Sequence, residues 1–522
     1  MRAPTILLPI LFLLPVRSEG QALPLRTYGG YANDHFHAIA AGPSNNLYVA
    51  GTTGSLLTGT NSFCGWLLKV NSDGDTLWSR SYAMSGGVDL LLDIETRGDS
   101  QLICGGTSGQ NLGIVMVTDT NGVPLWVRMT TTVPNIEAVD NALDAGIYAA
   151  GSGGGNAANI AVYKLDSVGN TQWGTLINTG YEDLALDVTT TPDSGVVVSG
   201  STRSTGMYTD GFMAKLDRTG TLLWSKAYGN QNPGEINNVI NVSSGGMLAA
   251  GTWAVGGTTS FRPMLLRLDA MGDTLWTRSF TGYPDGWGMQ VLEKDSSFLL
   301  YSVQQVAGSY FCTITVLDTS GNFITTHTFG SGEDSATELA VLPDGRIAAA
   351  SNTQLDQFSG AGVGGSDGQL VILGADGSTI CEHPFTPPPM DRAPVTITTV
   401  GSASSLAPMI AWGLPPSTAV SPLLTDHCSV PIGMNERSPE PPFLFPVPSS
   451  DDLHVQFRAP GPGIVHVQVF DLSGRGMLSE PFSKNGVASF RLNVSDLLPG
   501  LYVLRMQRAD GSTCSAPFEV AR

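Results

Sequence analysis

The stretch KLDRTGTLLWSKAYG (215–229) has relatives along most of the chain, and that repetition limits the fold more than any other feature. Aligned on its tryptophan, the copies read DTLWSRSY at Trp78, VPLWVRMT at Trp126, NTQWGTLI at Trp173, TLLWSKAY at Trp224 and DTLWTRSF at Trp276. GNFITTHTF follows, with Phe323 in the aromatic position, so the spacings are 48, 47, 51, 52 and 47 residues. An Asp-x-x-Gly turn precedes the aromatic: Asp119 to Gly122, Asp166 to Gly169, Asp217 to Gly220, Asp269 to Gly272 and Asp318 to Gly321. A weaker copy, LVILGADGSTICEHPF, makes seven.

Upstream in each copy lies a turn, an apolar run and a Gly, as in SNNLYVAGTT (44–53) and DSGVVVSGST (193–202), with a further strand before it. No long stretch has the 3.6-residue period of a helix, and 63 Gly suit many tight turns. Four short strands in a period near 50 residues predict an all-β chain whose copies are blades of a β-propeller. A β-solenoid fits less well, because its coils are shorter. The ring has seven or eight blades. Residues 387–430 offer APVTITTV, APMIAWG and SPLLTDHC as three strands of an eighth, without a fourth. LPLRTYGG (23–30) resembles the Trp strand and would complete the last blade, removing exposed sheet edges. The repeats resemble the Trp-containing propeller repeats of exported Bacteroidetes-type proteins, with ELAVLPDGRIAAAS (338–351) similar to their second strand. That resemblance covers roughly 23–430 and implies a fold, not an activity.

Residues 1–22 read as a signal peptide: Arg2, an apolar core from Ile6 to Val16, and the small-residue site Gly20-Gln21-Ala22. No later apolar run reaches membrane-spanning length, so no transmembrane segment is expected. The net charge is −19, and the 443–522 segment balances seven basic against seven acidic residues, so the excess acid lies upstream. That excludes nucleic acid as a partner, since phosphate binding needs clustered Lys and Arg. Six cysteines lack CxxC spacing and signal no zinc site; Cys381 with Cys428 is the expected disulfide.

A Pro- and Ser-rich linker spans 431–442, and alternating strands over 443–522 predict a small Ig-like β-sandwich. This module resembles the type A sorting domain of the type IX secretion system. FPVPSS (445–450) with Pro446 and Pro448, VQVFDLSGRGM (467–477) with Asp471 and Gly474, and LLPGLYVLRM (497–506) with Gly500 and Tyr502 follow the family's order. Val447 stands where Asn is usual. The resemblance implies the type IX machinery as a partner, passage through the periplasm and outer membrane, cleavage of the domain, and a cell-surface or secreted destination.

No GxSxG, HExxH or P-loop occurs, and no catalytic residue is assigned. In an alternating blade the a–b and c–d turns share one face and are short. The b–c and d–a loops share the other and are long: 53–63, 202–211, 252–261 and 352–368. Variable loops on a rigid frame are where binding resides. Trp253, Tyr283 and Trp287 are expected to form an exposed aromatic patch on that face, with Tyr181 and Tyr208 as a second set, for a glycan or a protein surface. A carboxylate also enters the first strand of each copy: Asp34, Asp89, Glu137, Asp183, Glu235, Asp285 and Asp334. Two roles stay open for these: Asp34, Asp89, Asp183, Asp285 and Asp334 ring the channel mouth and hold Ca²⁺, or each caps backbone N–H groups at its own turn. The protein class expected is a surface binding or adhesion protein. A glycan lyase or hydrolase using the mouth carboxylates and a purely structural surface protein are the alternatives.

Overall fold

The computed structural model divides into two compact units, Met1–Val430 and Pro431–Arg522. In the first it describes residues 25–426 except 31, 58–61, 85, 154–157, 204–207, 230–231, 255–259, 281–284, 307, 333, 354–364, 380–381, 383–389 and 392–394. In the second it describes 443–445, 452–456, 464–471, 476–484, 489–508 and 513–521. The signal-peptide segment, the linker, Cys381, Cys428, Tyr283, Pro446, Pro448 and Gly474 therefore lie outside the described residues.

Unit 1 is all-β and holds seven antiparallel sheets, numbered here by their first strands: Asp34–Ala41, Leu90–Arg97, Ala138–Asn141, Asp183–Thr190, Gly234–Asn241, Gly286–Lys294 and Asp334–Val341. In sheets 1 to 6 the four strands pair in chain order, ending at Thr76–Tyr82, Pro124–Met129, Thr171–Asn178, Leu222–Gly229, Thr274–Phe280 and Phe323–Gly332. Second strands such as Leu47–Thr53, Val196–Thr202 and Ile347–Thr353 are buried along their whole length. A strand covered on both faces needs apolar residues throughout, which is why these runs are continuous rather than alternating. Apolar clusters fill the space between consecutive sheets. One joins sheets 1 and 2 through Tyr48, Leu67, Leu91 and Met116; another joins sheets 7 and 1 through Leu370, Ala350, Phe36 and Trp66.

The repeated motif builds the outer contact between sheets. Asp119 Oδ1 accepts from the N–H groups of Asn121 and Val123, closing the turn, and Gly122 takes φ +74°. The preceding sheet's aromatic lies on that turn: a Cβ on Gly122 would come within 2.9 Å of Trp78, and one on Gly220 within 2.6 Å of Trp173. Glycine is thus required twice over, for its left-handed φ and for the indole above it. The same fourth strand sends polar groups onto the turn's carbonyls. Trp173 Nε1 donates to Arg218 O (3.0 Å), Arg128 Nε to Gly169 O (2.7 Å) and Tyr228 OH to Gly272 O (2.7 Å).

The fourth strand of sheet 7 is Arg26–Gly29, which pairs with Asp367–Leu373 in the register Arg26↔Leu370. Tyr28 OH donates to Gly74 O, repeating for sheets 7 and 1 the contact that Tyr228 makes onward from sheet 4. The described strands of 390–426 pair with the sheets already named and not with one another. These short strands add a fifth member to existing ones: Met390–Asp391 to sheet 5, Thr396–Thr399 to sheet 4, Ser402–Ser405 to sheet 3, Ile410–Trp412 to sheet 2, Ser417–Ala419 to sheet 1 and Leu423–Asp426 to Arg26–Gly29 of sheet 7. Runs of two to four residues cannot bury a core of their own, but they can satisfy the open edge of a sheet that already has one.

Unit 2 has a three-stranded sheet (Phe443–Phe445, Asp452–Gln456, Ser489–Asn493) and a four-stranded one in the order Gly476–Lys484, Ile464–Asp471, Gly500–Arg508, Thr513–Val520. Leu453, Val455, Val467, Val469, Leu504 and Phe518 form the apolar core between them. Tyr502 is buried in it and donates to Leu498 O at 2.7 Å. Asp471 and Gly500 lie on paired strands, with Asp471 opposite Tyr502.

Candidate functional site

The carboxylates at the start of the first strands are engaged by hydrogen bonds, with Asp34, Asp89, Asp183 and Asp334 buried and Asp285 half-buried. Asp34 accepts from Gly30 N (2.8 Å), Thr53 Oγ1 (2.5 Å) and both the N–H and hydroxyl of Ser55. Asp89 accepts from Met84 N and Gly109 N, each at 2.7 Å. Asp183 takes the Thr179 N–H and hydroxyl, and Asp285 takes Phe261 N (2.7 Å) and Tyr310 OH (3.1 Å). Asp334 accepts from Gly332 N at 3.2 Å. Burial pushes the Asp183 carboxyl up, against the hydrogen bonds from Thr179 and Thr202. Asp34 and Asp89 thus tie the loop that enters their sheet to the loop between its second and third strands, whereas Asp285 joins the third strand of sheet 5 to that of sheet 6. Among the described residues no three His, Cys, Asp or Glu side chains are grouped to hold a metal ion.

A second set of polar residues, which periodicity did not reveal, lies deeper along the first strands. Six of these strands carry an extra residue where the register shifts: His37, Leu92, Leu186, Asn237 and Met289, with Thr337 and Glu338 together in the last. A bulge turns its side chain out of the pleat. These residues line a central cavity of about 110 Å³ together with Glu137. Next to the bulges, side-chain oxygens accept backbone N–H groups from the following sheet. Val139 N reaches Asp93 (2.6 Å), Thr190 N reaches Asp140 (2.5 Å) and Val239 N reaches Asp187 (2.7 Å). Val291 N reaches Asn238 (3.0 Å), Leu339 N reaches Gln290 (2.6 Å) and Ile39 N reaches Glu338 (2.8 Å). Thr96 Oγ1 to Ala41 O (3.2 Å) joins sheets 2 and 1.

Crowding carboxylates in a narrow space disfavours their charged forms. Burial pushes Asp187 up to about 8 and Glu137 up to about 7, and drives Asp93, Glu95 and Glu338 upward, with neighbouring acids adding to the rise. His37 is pushed the other way, to about 4, by burial and by His35, so it is neutral where the acids titrate. Burial and mutual repulsion therefore favour the protonated forms of Asp187 and Glu137 toward neutral pH.

The aromatic patch does not assemble as expected. Trp253 is only 1% exposed. Its indole fills the space between sheets 4 and 5 that Gly211 and Gly234 leave open, where a Cβ would come within 2.8 and 2.4 Å of it. Gly211 in the neighbouring sheet and Gly234 opposite Trp253 in its own sheet make room for a large side chain, and so an aromatic outside the repeat still packs inward. Trp287 is half-buried against Tyr310 (ring centroids 5.4 Å apart) on the side of sheets 6 and 7, away from Trp253. Tyr181 and Tyr208 are the members that face solvent, 58% and 42% exposed. Both lie on the long-loop face at sheet 4, where Arg203 and Glu182 form an ion pair at 2.8 Å between the same two loops.

Solved structures similar to this chain include the extracellular domain of a B. thetaiotaomicron protein described as a one component system. It is 10% identical, with 93% of this chain and 79% of that chain covered and a TM-score of 0.24. The eukaryotic initiation factor matches at 10% identity over 74% of this chain and 98% of its own, with a TM-score of 0.28. Scores this low carry no conclusion about fold or activity. No curated protein matches the sequence. The family model of the secretion system C-terminal sorting domain matches residues 443–516, the stretch that holds Asp471, Gly500 and Tyr502. Among the described residues no helix is long and apolar enough to cross a membrane. The chain thus ends in a type IX secretion sorting domain, and the protein is secreted to the cell surface or the outside of the cell.

Proposed function

We propose that residues 23–430 form a seven-bladed β-propeller, closed by its N-terminal strand, and act as a surface-displayed binding module. The cyclic series of packed sheets supports the ring, since sheet 7 meets sheet 1 through both an apolar cluster and the Ile39–Glu338 hydrogen bond. The observation that carries the binding role is the solvent-facing pair Tyr181 and Tyr208 around the Arg203–Glu182 ion pair. Two aromatic faces beside a polar fork suit a sugar ring or a protein surface. The cell-surface destination gives such a module something to bind. A glycan-processing enzyme would need mouth carboxylates free to reach substrate, whereas Asp34, Asp89, Asp183 and Asp285 each accept two or more hydrogen bonds from neighbouring loops and strands.

The test is a glycan array and a cell-adhesion assay on the full chain and on a Tyr181→Ala/Tyr208→Ala variant, with and without Ca²⁺. The reading expects binding to fall at least tenfold in the variant at unchanged melting temperature. Equal binding by both proteins would sink it.

A further inference from the structure

The short-turn face, opposite the long loops, contains a cavity of about 240 Å³ between sheets 4 and 5. Its walls include Asp193, Lys215, Val242, Gly245, Met247 and Ala270. The same groups recur one sheet earlier, but there the space is filled. Tyr148 stands opposite Lys164 on adjacent strands, with the ammonium 4.2 Å from its ring centroid and Asp144 bound to that ammonium at 2.6 Å. The Tyr148 hydroxyl donates to Ser194 O of the next sheet's turn at 2.7 Å. Sheet 1 repeats the pair, with Lys69 5.1 Å from the Tyr48 ring.

In sheet 4 the register position of Tyr148 is held by Val197, opposite Lys215. Lys215 keeps its acid partner, Asp193 at 2.6 Å, and so presents a cation with no ring beneath it. The next turn places Gly245 where Ser194 stands in the preceding sheet, and a Cβ on Gly245 would touch nothing within 4 Å. Its carbonyl accepts from Arg267, and a carbonyl oxygen has two lone pairs. The tryptophan beside the slot is also altered. Trp78 Nε1 donates to Thr120 O (3.2 Å) and Trp173 Nε1 to Arg218 O (3.0 Å) of the next turn. Trp224, 8% exposed, has no acceptor for its Nε1, and the corresponding turn residue, Ala270, is part of the cavity wall.

We infer that this cavity is a binding site for a phenolic ring, supplied by a tyrosine of another protein or by a free phenol. The volume is below the roughly 300–1,000 Å³ of drug-sized pockets and suits one aromatic group. A cation over the ring face and a carbonyl for the hydroxyl are the features it would meet. The protein's own Tyr148 shows how such a ring sits among these groups. This site is separate from Tyr181 and Tyr208, and its test does not depend on theirs.

The experiment titrates the full chain with p-cresol and with the peptide acetyl-Gly-Tyr-Gly-amide, read by calorimetry and by Trp fluorescence. Saturable binding is expected, lost at least tenfold in Val197→Tyr, which fills the slot from within. Lys215→Met should weaken it by about threefold to tenfold, the range of a cation over an aromatic face, and Lys164→Met should leave it unchanged. A peptide binding tenfold tighter than p-cresol assigns the ring to a partner protein; equal affinities assign it to a free phenol. No saturable binding of either probe at millimolar concentration overturns the site, as does wild-type affinity in Val197→Tyr. Should that variant not fold by circular dichroism, unchanged affinity in Lys215→Met overturns it instead.

Discussion

Consecutive sheets of the first unit are joined twice, and the two joints work by different rules. At the outer joint an aromatic, an Arg, or a Tyr or Thr hydroxyl lies on a glycine turn of the next sheet, as Trp173 and Thr175 do on Gly220. At the inner joint a side-chain oxygen accepts one N–H of the next first strand, and Asp93, Asp187, Asn238, Gln290 and Glu338 all serve. The outer joint depends on shape, so it admits few residues. The inner joint depends on placing one acceptor, so side chains of different length and charge fill the role.

The comparison can be broken at either joint. Gly272→Ala should have the largest effect. It adds a Cβ at φ +76°, within 2.9 Å of the Trp224 ring, and the left-handed backbone alone costs about 1–2 kcal/mol. A total loss of about 2–4 kcal/mol in urea unfolding is expected once the displaced indole is included. Asn238→Leu should come next, at about 1–3 kcal/mol, because Val291 N–H is left buried without an acceptor. An Asn238→Asp variant, which keeps an acceptor, should recover most of that loss near pH 5.

Asp187→Asn sharpens the contrast through pH. The folded state holds the Asp187 proton up to about pH 8, well above the ordinary carboxylate value. The stability tied to this group is therefore full at acid pH and is lost as pH rises through that range. Asparagine keeps an acceptor for Val239 N but cannot ionise. The variant should match the parent at pH 4–5 and exceed it above pH 8 by on the order of 1 kcal/mol. A parallel pair of pH–stability curves would show that Asp187 does not hold its proton to high pH. Tyr228→Phe at the outer joint is the smallest change: it removes one donor to Gly272 O and should cost about 0.5–1.5 kcal/mol, independent of pH.

These rules also explain what could be read from residues alone. The outer joint repeats as a word, Asp-x-x-Gly then Trp, because turn and indole must fit each other; the sheets were visible from it. The recurrence of Asp34, Asp89 and Asp183 was equally visible, but recurrence does not distinguish a cap from an ion ligand until the donors are located. The inner acceptors vary in type, and a one-residue bulge puts them out of phase with the strand alternation, so no period marks them. The burial of Trp253 is not legible in the sequence because its surroundings are set by Gly211 and Gly234, which are distant or unremarkable there. The apolar runs of 387–430 suggest a further blade; Thr396–Thr399, Ile410–Trp412 and Leu423–Asp426 are indeed strands, and only pairing partners reveal that each belongs to a different sheet.

The path of that last segment has a consequence for the order of assembly. Sheet 7 needs Arg26–Gly29 on Asp367–Leu373, and then Leu423–Asp426 on Arg26–Gly29. The first strand made must wait, unpaired, for partners that arrive near the end of the unit, and closing so long a loop is slow. Until then the edge of Asp367–Leu373 stays open and the outer edges of six sheets lack their final strand. The chain therefore cannot lock before nearly all of it has emerged, which gives an exported protein a built-in delay between synthesis and its rigid form.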